Sequence, residues 1–312
     1  MTNSWRAIAR MARDRLVQTD PSDLPRILNL WYLRLSALAR LRLFNQSSAE
    51  LTHLLTALSS SPIPPTTLSQ ILPFELDVLA ARAPYWAGDS LGHADALARL
   101  LRKCRKSARS ARRAEERQMW VERGARVGLI AASNAIEAKD YALATSLLEP
   151  LLAQPHPAPA LRAALGRIYL QAGRLRDAEA HFAHVDAQPD VPEPTKKLNA
   201  ALLAIARGEQ TRAADLLRDI VDAEPEAYAA VNDLAVVLFS AGKIKEAIDV
   251  LESALRASPA SLAMAEPFLF NLSTLYELRS AAAADKKREL LVEVAKWSGD
   301  GLRTTCLKLS TA

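Results

Sequence analysis

One repeated pattern constrains this chain more than any other feature. Four positions of a 22-residue segment, here called the frame, keep the same residue type when the segment recurs after 34 residues. The stretches AIARGEQTRAADLLRDIVDAEP (204–225) and LFSAGKIKEAIDVLESALRASP (238–259) share glycine in the fifth place, alanine in the tenth, leucine in the fourteenth and proline at the end. In a pair of antiparallel helices, glycine ends the first helix and a small alanine lets the second helix approach closely. Leucine fills the space between hairpins, and proline stops the second helix. The frame therefore predicts a series of helical hairpins.

Two more copies of the frame lie upstream. One places Asp140-Tyr141 at the turn, and the next contains LGRIYLQAGRLRDAEAHF with Gly166 and Gly173. The small alanines of the four copies, spaced 34, 35 and 34 residues apart, are Ala144, Ala178, Ala213 and Ala247. A period near 34 with this punctuation resembles the tetratricopeptide repeat (TPR). We therefore expect an all-α chain that forms a right-handed superhelical TPR solenoid.

The remaining sequence divides around these four repeats, which span 121–260. A modified fifth repeat and a C-terminal capping helix are predicted at 261–312, where Asp285 stands in place of the small alanine. Residues 1–58 read as a degenerate helical hairpin broken near Asn45, and 59–72 read as a Pro/Ser linker in which a continuous helix is not expected. Residues 73–120 read as a TPR-like hairpin, broken near Gly88-Asp89, plus a basic insertion. That insertion adds about 16 residues to one period, as either a long loop or an overlong helix.

Composition places limits on the class of protein. Half of the residues are hydrophobic but only 5% are aromatic, so the core must consist mainly of Leu, Ala, Val and Ile. The sequence has no apolar run of 18 residues and no signal-peptide pattern at its start, which predicts a cytoplasmic protein. Cys104 and Cys306 lie far apart without metal-ligand spacing and are expected to be reduced thiols.

No motif indicates an enzyme. The phosphate loop, the nucleophile elbow and the zinc-protease helix are all absent from the sequence. His181 and His184 lie three residues apart without a third candidate ligand, so surface histidines are the expected interpretation. The carboxylate pairs Glu115-Glu116 and Asp215/Asp219 have basic neighbours and are expected to form solvated salt bridges. We predict no catalytic residue, no cofactor, no metal and no small-molecule substrate.

The basic insertion is the strongest local charge feature. It holds eight Lys and Arg between Arg102 and Arg117, against two Glu. This pattern predicts an electrostatic contact with anionic lipid or with an acidic partner, and the alternative is a solvated insertion between repeats. Because no aromatic residues interleave with the charges, nucleic acid is not an expected ligand. The predicted contact residues are Arg105, Lys106, Arg109, Arg112 and Arg113.

A second candidate surface is the inner face of the solenoid, formed by places 5, 9 and 12 of each first helix. Eight of the twelve residues in these places are large and apolar: Leu129, Ile136, Leu170, Leu198, Leu202, Ile205, Val236 and Phe239. A helix that is apolar on two faces is normally buried on both, so we expect this groove to be filled. The occupant is either the chain's own C-terminal helix and the curl of the superhelix, or a segment of a partner.

A TPR adaptor or co-chaperone is the alternative within the same fold. TPR domains that clamp a chaperone's C-terminal carboxylate use Lys, Asn and Arg on the first helices of consecutive repeats. The corresponding residues here are Ala163, Arg167, Thr195, Asn199, Ala229 and Asp233. Only Asn199 fits this pattern, and Asp233 would repel a carboxylate.

Four stretches resemble one family beyond the general repeat pattern. They are LWYLRLSALARLRLF (30–44), LGRIYLQAGRLRDAEAHF (165–182), VLFSAGKIKEAIDVLE (237–252) and FLFNLSTLYELRS (268–280) with the Lys, Leu and Gly-Asp residues that follow. Together they are similar to subunit 12 of the trafficking protein particle (TRAPP) complexes. Members of that family carry a long N-terminal extension that this sequence does not include, so we expect a helical portion of a longer protein.

The resemblance to this family carries its own expectations. It implies a non-catalytic scaffold in a TRAPP III-type vesicle tethering and Rab-activating complex, acting in ER-to-Golgi transport and autophagy. The implied partners are other TRAPP subunits, above all the large subunits specific to TRAPP III. The implied location is peripheral, on ER–Golgi intermediate and Golgi membranes.

Overall fold

In the computed structural model, residues 3–153, 158–279 and 281–309 are described, and they form helices joined by short turns, with no strand among them. The chain divides into two compact units. One, the N-terminal unit, consists of Ser4–Leu151; the other, the C-terminal unit, consists mainly of the residues from Leu152 onward.

The N-terminal unit is a series of antiparallel helices of unequal length. Successive helices pack in pairs, α1 on α2, α5 on α6, α6 on α7 and α7 on α8. Their bounds are α1 Trp5–Gln18, α2 Leu24–Arg40, α3 Phe44–Ser59, α4 Pro65–Ile71, α5 Phe74–Trp86, α6 Ser90–Ser110, α7 Ala114–Glu137 and α8 Tyr141–Leu148. A 3₁₀ segment, Glu149–Ala153, follows α8.

Two boundaries in this unit differ from the sequence prediction. The first hairpin turns at Arg42, which has a left-handed backbone (φ 60°), and Asn45 already lies in the first turn of α3. The Pro/Ser segment contains the seven-residue helix α4. Proline fits the first position of a helix because the N–H that it lacks has no partner there, so the prolines that interrupt this segment also start a helix.

The basic insertion is built from two overlong helices and contains no long loop. Helices α6 and α7 have 21 and 24 residues and are joined by the short turn Ala111–Arg113. Cys104 of α6 packs against Gly124 of α7, with 3.5 Å between the cysteine Cβ and the position that a Cβ would take at the glycine. Of the two alternatives that the spacing allowed, the overlong helix is therefore the one that forms.

The C-terminal unit contains the regular repeats. Its hairpins are α9 on α10, α11 on α12 and α13 on α14, and α16 then packs on both α14 and α17. The helix bounds are α9 Pro159–Gln171, α10 Leu175–Asp186, α11 Glu193–Arg207, α12 Gln210–Ala223, α13 Tyr228–Ser240, α14 Ile244–Ala257, α15 Pro259–Leu262, α16 Glu266–Arg279 and α17 Ala283–Ala295. In place of the predicted capping helix, the chain forms two 3₁₀ turns, Gly299–Gly301 and Thr304–Leu307.

The packing confirms the physical interpretation of the 34-residue frame. The four small alanines have no exposed surface, as expected where two helices approach closely. The turn glycines Gly173, Gly208 and Gly242 have φ between 73° and 79°, a conformation that costs glycine little. Leu217 and Leu251, in the leucine place, are completely buried. The TPR fold predicted from the sequence is therefore confirmed.

Among the described residues, every helix is either too short or too polar to cross a lipid bilayer.

Candidate functional site

The C-terminal unit presents an open apolar groove between α13 and α16, which pack side by side. The groove encloses a hollow of about 80 Å³, lined by Ala235, Val236 and Phe239 from α13 and by Asn271, Thr274, Leu275 and Leu278 from α16. Val236 is 42% exposed, Phe239 41% and Leu278 56%. Large apolar side chains with this much exposure, grouped on two adjacent helices, are typical of interaction surfaces.

The sequence of α13 explains why apolar residues remain at its surface. Leu234 and Leu238 lie four residues apart and are buried in the main core of the unit. Val236 and Phe239 lie three residues apart on the other side of the same helix. Helix α13 therefore has two apolar faces, and the fold of the chain buries only one of them.

The other predicted groove residues have more varied environments. On α11, Leu198, Leu202 and Ile205 are half-buried, and Leu198 and Ile205 pack against the main core. Leu170 of α9 is also half-buried. In the N-terminal unit, Leu129 of α7 is 49% exposed and Ile136 is half-buried. Of the eight predicted residues, Val236 and Phe239 are the pair that shares the hollow.

One of the co-chaperone positions is buried between helices. Ala163, which the helical places assign to the inner face, is buried against Val185 and Val191. Its helix α9 packs on both α10 and α11, so this small side chain faces a neighbouring helix.

The α16 side of the groove was missed by the sequence analysis, although a signal was present. The buried residues Leu234 and Leu238 recur 38 residues later as Leu272 and Tyr276, which are also buried. The same shift of 38 residues along the sequence relates the groove positions of α13 to Phe270, Thr274 and Glu277 of α16. The four additional residues before α16, which coincide in length with the short helix α15, concealed this relationship.

Lys308 of the C-terminal turn contacts these places on α16. The Lys308 ammonium lies 5.4 Å from the centre of the Phe270 ring and 3.4 Å from the Thr274 hydroxyl, and it pairs with the Glu277 carboxylate. The buried Lys287 also donates to Glu277, and to the Lys308 carbonyl at 2.8 Å. These two lysines hold the pKa of Glu277 below its usual range. The C-terminal turn thus contacts the α16 places through Lys308, but Phe270 stays 46% exposed, much like Val236 and Phe239.

The residues in the co-chaperone positions do not form a cationic clamp. Asn199 is completely buried on α11, and neither amide atom has a hydrogen-bond partner among the described residues. Asp233 of α13 is half-buried. Burial raises the pKa of Asp233, although nearby Arg167 and a hydrogen bond from Asn232 partly oppose the increase. A site with a carboxylate at this place does not favour a bound carboxylate.

The two histidines differ from each other. His184 is exposed, as expected, and its Nδ1 lies 2.8 Å from the Ala180 carbonyl oxygen. His181 is half-buried and stacks on Tyr169 with 5.3 Å between ring centres, so the interpretation of His181 as a surface residue is wrong. Across the described ranges, no group of three or more His, Cys, Asp or Glu side chains is placed to hold a metal ion.

The predicted basic residues lie at the joined ends of α6 and α7. Arg105, Lys106 and Arg109 lie on α6, whereas Arg112 and Arg113 belong to the turn that follows. Arg102 joins the first three, and together with Ser110 these four cations line an open hollow of about 510 Å³. We call Arg102, Arg105, Lys106 and Arg109 the basic stripe.

Comparison with known proteins agrees with the fold and with the family resemblance. Tetratricopeptide-repeat family models match residues 135–194 and 198–261. Among curated proteins, trafficking protein particle complex subunit 12 of mouse and of human are each 29% identical to this chain over 91% of its length. The chain spans 39% of the mouse protein and 42% of the human one. The resemblance to the subunit 12 family predicted from the sequence is therefore confirmed.

Two solved structures show the same fold at low sequence identity. A tetratricopeptide repeat protein from Parabacteroides merdae is 13% identical, with a TM-score of 0.51 over 90% of this chain and 96% of that one. Ypp1 is also 13% identical, with a TM-score of 0.52 over 90% of this chain and 38% of its own. Identities this low support the fold alone.

Proposed function

We propose that this TPR chain, similar to subunit 12 of the trafficking protein particle complex over 91% of its length, is a non-catalytic scaffold subunit of a TRAPP III-type complex. The complex would tether vesicles and activate a Rab GTPase in ER-to-Golgi transport and autophagy. The partners would be other TRAPP subunits, with the large TRAPP III-specific subunits first among them. Association with ER–Golgi intermediate and Golgi membranes would be peripheral, through the complex.

The architecture supports a binding role. Each hairpin of a repeat array contacts mainly its neighbours, which leaves long lateral faces available to other polypeptides. The described residues show no metal-binding cluster. The pocket on α13 and α16 is a small apolar hollow. A hollow of this size suits one or two side chains of a partner better than a substrate molecule.

The observation that carries the proposal is the open groove beside Val236 and Phe239 on a chain similar to a complex subunit. On α16 the neighbouring Phe270 also stays exposed, although Lys308 of the C-terminal turn contacts its ring. We assign the opening to an amphipathic helix of another TRAPP subunit, which would place its apolar side chains between α13 and α16.

Co-purification tests the proposed function. The full-length protein, tagged in its native cells, should co-elute with TRAPP subunits at constant stoichiometry through affinity and size-exclusion steps, as identified by mass spectrometry. A preparation that lacks TRAPP subunits would refute the assignment. Stoichiometric partners from an unrelated assembly would favour the TPR-adaptor alternative instead.

A further inference from the structure

The joined ends of α6 and α7 form a largely exposed projection whose base packs on α5. There, Lys103 pairs with Asp77 of α5 at 2.6 Å, and Trp120 packs edge-on against Phe74, with 6.1 Å between ring centres. Beyond the base, residues 105–119 are exposed except for Ser107, Ala108 and Ala111. We call residues 105–119 the spur.

The basic stripe runs along one side of α6 from the base into the spur. Its members are spaced i, i+3, i+4 and i+7, which places them on a single helical face. The first and last members are separated by about 10 Å along the helix axis. All four are exposed, and none of them has an ion-pair partner among the described residues. The stripe is therefore a dense, unneutralised row of charge.

Helix stabilisation explains only part of this charge. Cations favour the last turn of a helix, and acidic residues favour the first, because of the helix dipole. Arg109 at the end of α6, and Glu115 and Glu116 at the start of α7, follow this rule. Arg102, Arg105 and Lys106 lie before the last turn of α6, where the dipole effect has decayed.

The positive charge of the chain is also unevenly distributed. Residues 4–151 carry twenty-one Lys and Arg against fourteen Asp and Glu, a net charge of +7. From residue 152 onward there are nineteen against twenty-one, a net charge of −2. The N-terminal unit thus holds all of the excess, and the stripe is its densest part.

We propose that the basic stripe docks an acidic segment of a partner polypeptide. Three of its four members are arginines, whose forked guanidinium groups bind carboxylates through two hydrogen bonds at once. Carboxylates at i, i+3, i+4 and i+7 of an acidic helix would match the spacing of the stripe. All four cations are exposed, so such side chains can reach them.

The composition of the spur favours a polypeptide over a membrane surface. Peripheral helices that bind bilayers carry large apolar side chains on the face opposite their basic face. Met119 is the only large apolar side chain between residues 105 and 119, and it is 37% exposed. The proposal does not depend on membership of a TRAPP complex.

The test uses the whole chain and a defined acidic probe. The probe is a fluorescent helical peptide with Glu at i, i+3, i+4 and i+7 in two successive turns, and its control carries Gln at the same places. The test variant replaces Arg102, Arg105, Lys106 and Arg109 with Glu. A matched variant makes the same charge change at four scattered exposed arginines of the N-terminal unit, Arg10, Arg26, Arg82 and Arg126. Fluorescence anisotropy at low and raised salt measures affinity, and circular dichroism monitors folding.

We expect the parent chain to bind the Glu peptide in a salt-sensitive manner. It should bind the Gln peptide about tenfold more weakly or worse, because several exposed charge pairs are lost together. The stripe variant should lose at least about tenfold in affinity, whereas the scattered variant should lose clearly less. Equal losses in both variants would mean that net charge alone is responsible and would overturn the proposal. An unchanged stripe variant would do the same.

Vesicles distinguish the membrane alternative. Phosphatidylcholine vesicles with and without phosphatidylserine should bind the parent chain more weakly than the Glu peptide does. Stripe-dependent binding to the anionic vesicles that exceeds binding to the peptide would assign the surface to lipid and refute the polypeptide proposal. If the Glu variant unfolds, replacement of the same four residues with Gln removes the charge with less disturbance and leads to the same comparisons.

Discussion

The ring of Phe182 packs directly against the backbone of α9 at Gly166. A Cβ at this glycine would lie 2.8 Å from Cδ1 of the ring, closer than real contacts allow, and the ring is only 1% exposed, so it has no free space into which to move. Gly166 therefore sets the distance between the two helices of its hairpin.

Gly166→Ala should destabilise the protein. Overpacking of a core usually costs about 1–3 kcal/mol, which exceeds the gain of about 0.5–1 kcal/mol from placing alanine in a helix. Thermal unfolding measures the balance. The control is Gly128→Ala on α7, where an added Cβ would meet no atom within 4 Å, so this variant should gain stability. An increase in melting temperature for Gly166→Ala would contradict the packing argument.

Arg34 of α2 and Glu50 of α3 form a largely buried ion pair. Because protonation of Glu50 breaks this pair, the stability of the protein should depend on pH. Two nitrogens of Arg34 donate to the carboxylate at 2.7 and 2.6 Å, and a third donates to the Ala9 carbonyl of α1 at 3.1 Å. Burial raises the pKa of Glu50, but hydrogen bonds from Arg34 and Gln46 outweigh it and leave the pKa lowered. Because the native state favours the ionised form, the stabilisation is present above the ordinary glutamate pKa and is lost as the pH falls through the native one.

Glu50→Gln should therefore reduce stability by about 1.5–3 kcal/mol at pH 7, the usual contribution of a charged hydrogen bond. The deficit should shrink as the pH falls below about 4. Urea unfolding at several pH values measures both effects. Asp285→Asn, which breaks an exposed pair with Arg288, serves as the control and should have little effect. A pH-independent deficit would refute the electrostatic explanation.

Asp233 should show the opposite pH dependence. Burial raises the pKa of its carboxyl, so the native state binds a proton more readily than the unfolded chain does. Stability attributable to this group is then greatest below the ordinary aspartate pKa, about 3.9, and decreases as the pH rises through the native pKa. Asp233→Asn should raise the melting temperature at pH 7 and approach the parent value near pH 3.5. Asp249→Asn, an exposed residue on α14, is the control, and a lower melting temperature for Asp233→Asn at pH 7 would count against burial as the dominant cause.

Lys139 occupies a turn position that glycine fills in the later repeats. Its φ of 59° is left-handed, which costs a residue with a Cβ about 1–2 kcal/mol. Lys139→Gly should relieve that strain and so stabilise the folded protein. The greater freedom of glycine in the unfolded chain should offset about 0.5–1 kcal/mol of this stabilisation. We expect a small net increase in the free energy of unfolding, and no comparable increase for Lys139→Ala. A loss of stability in the glycine variant would show that the lysine side chain makes a stabilising contact.

The groove proposal predicts a separation of binding from stability. Val236→Glu with Phe239→Glu should leave the melting temperature nearly unchanged, because both side chains are already about two-fifths exposed. The same pair should reduce affinity for the partner subunit at least tenfold, since burial of each large apolar side chain contributes about 1.5–3 kcal/mol when complete. Val292→Glu, at an exposed position on α17, is the control. Full partner recovery with the double variant would exclude this groove as the docking site.

Residues that pack within one hairpin could be predicted from sequence, whereas residues held by distant partners could not. Ala144 and Ala247 follow from the period alone, because close helix approach requires a small side chain at a fixed place. Lys308 is different: its contacts with Phe270 and Glu277 join residues more than thirty positions apart, and no local pattern specifies them.

The α6–α7 region shows a second limit of sequence analysis. Residues 105–119 alternate charged and small side chains with little apolar periodicity, so a loop and a helix were equally compatible with the pattern. Ala163 shows a third limit. Helical places give the direction of a side chain from its own helix, but the neighbour it meets depends on how adjacent repeats pack.

The spur is anchored at its base and exposed along its length, so in mechanical terms it is a cantilever. Any load that a bound partner applies near its tip must be borne at the root, where the Arg123 guanidinium lies 4.9 Å from the Phe74 ring centre and 4.8 Å from that of Trp120. Binding of a partner is therefore coupled to one small cluster, in which the arginine lies beside two aromatic rings that also contact each other. A substitution that loosened this cluster would let the spur and its basic stripe change orientation. A partner would then bind more weakly, although every residue that it contacts is unchanged.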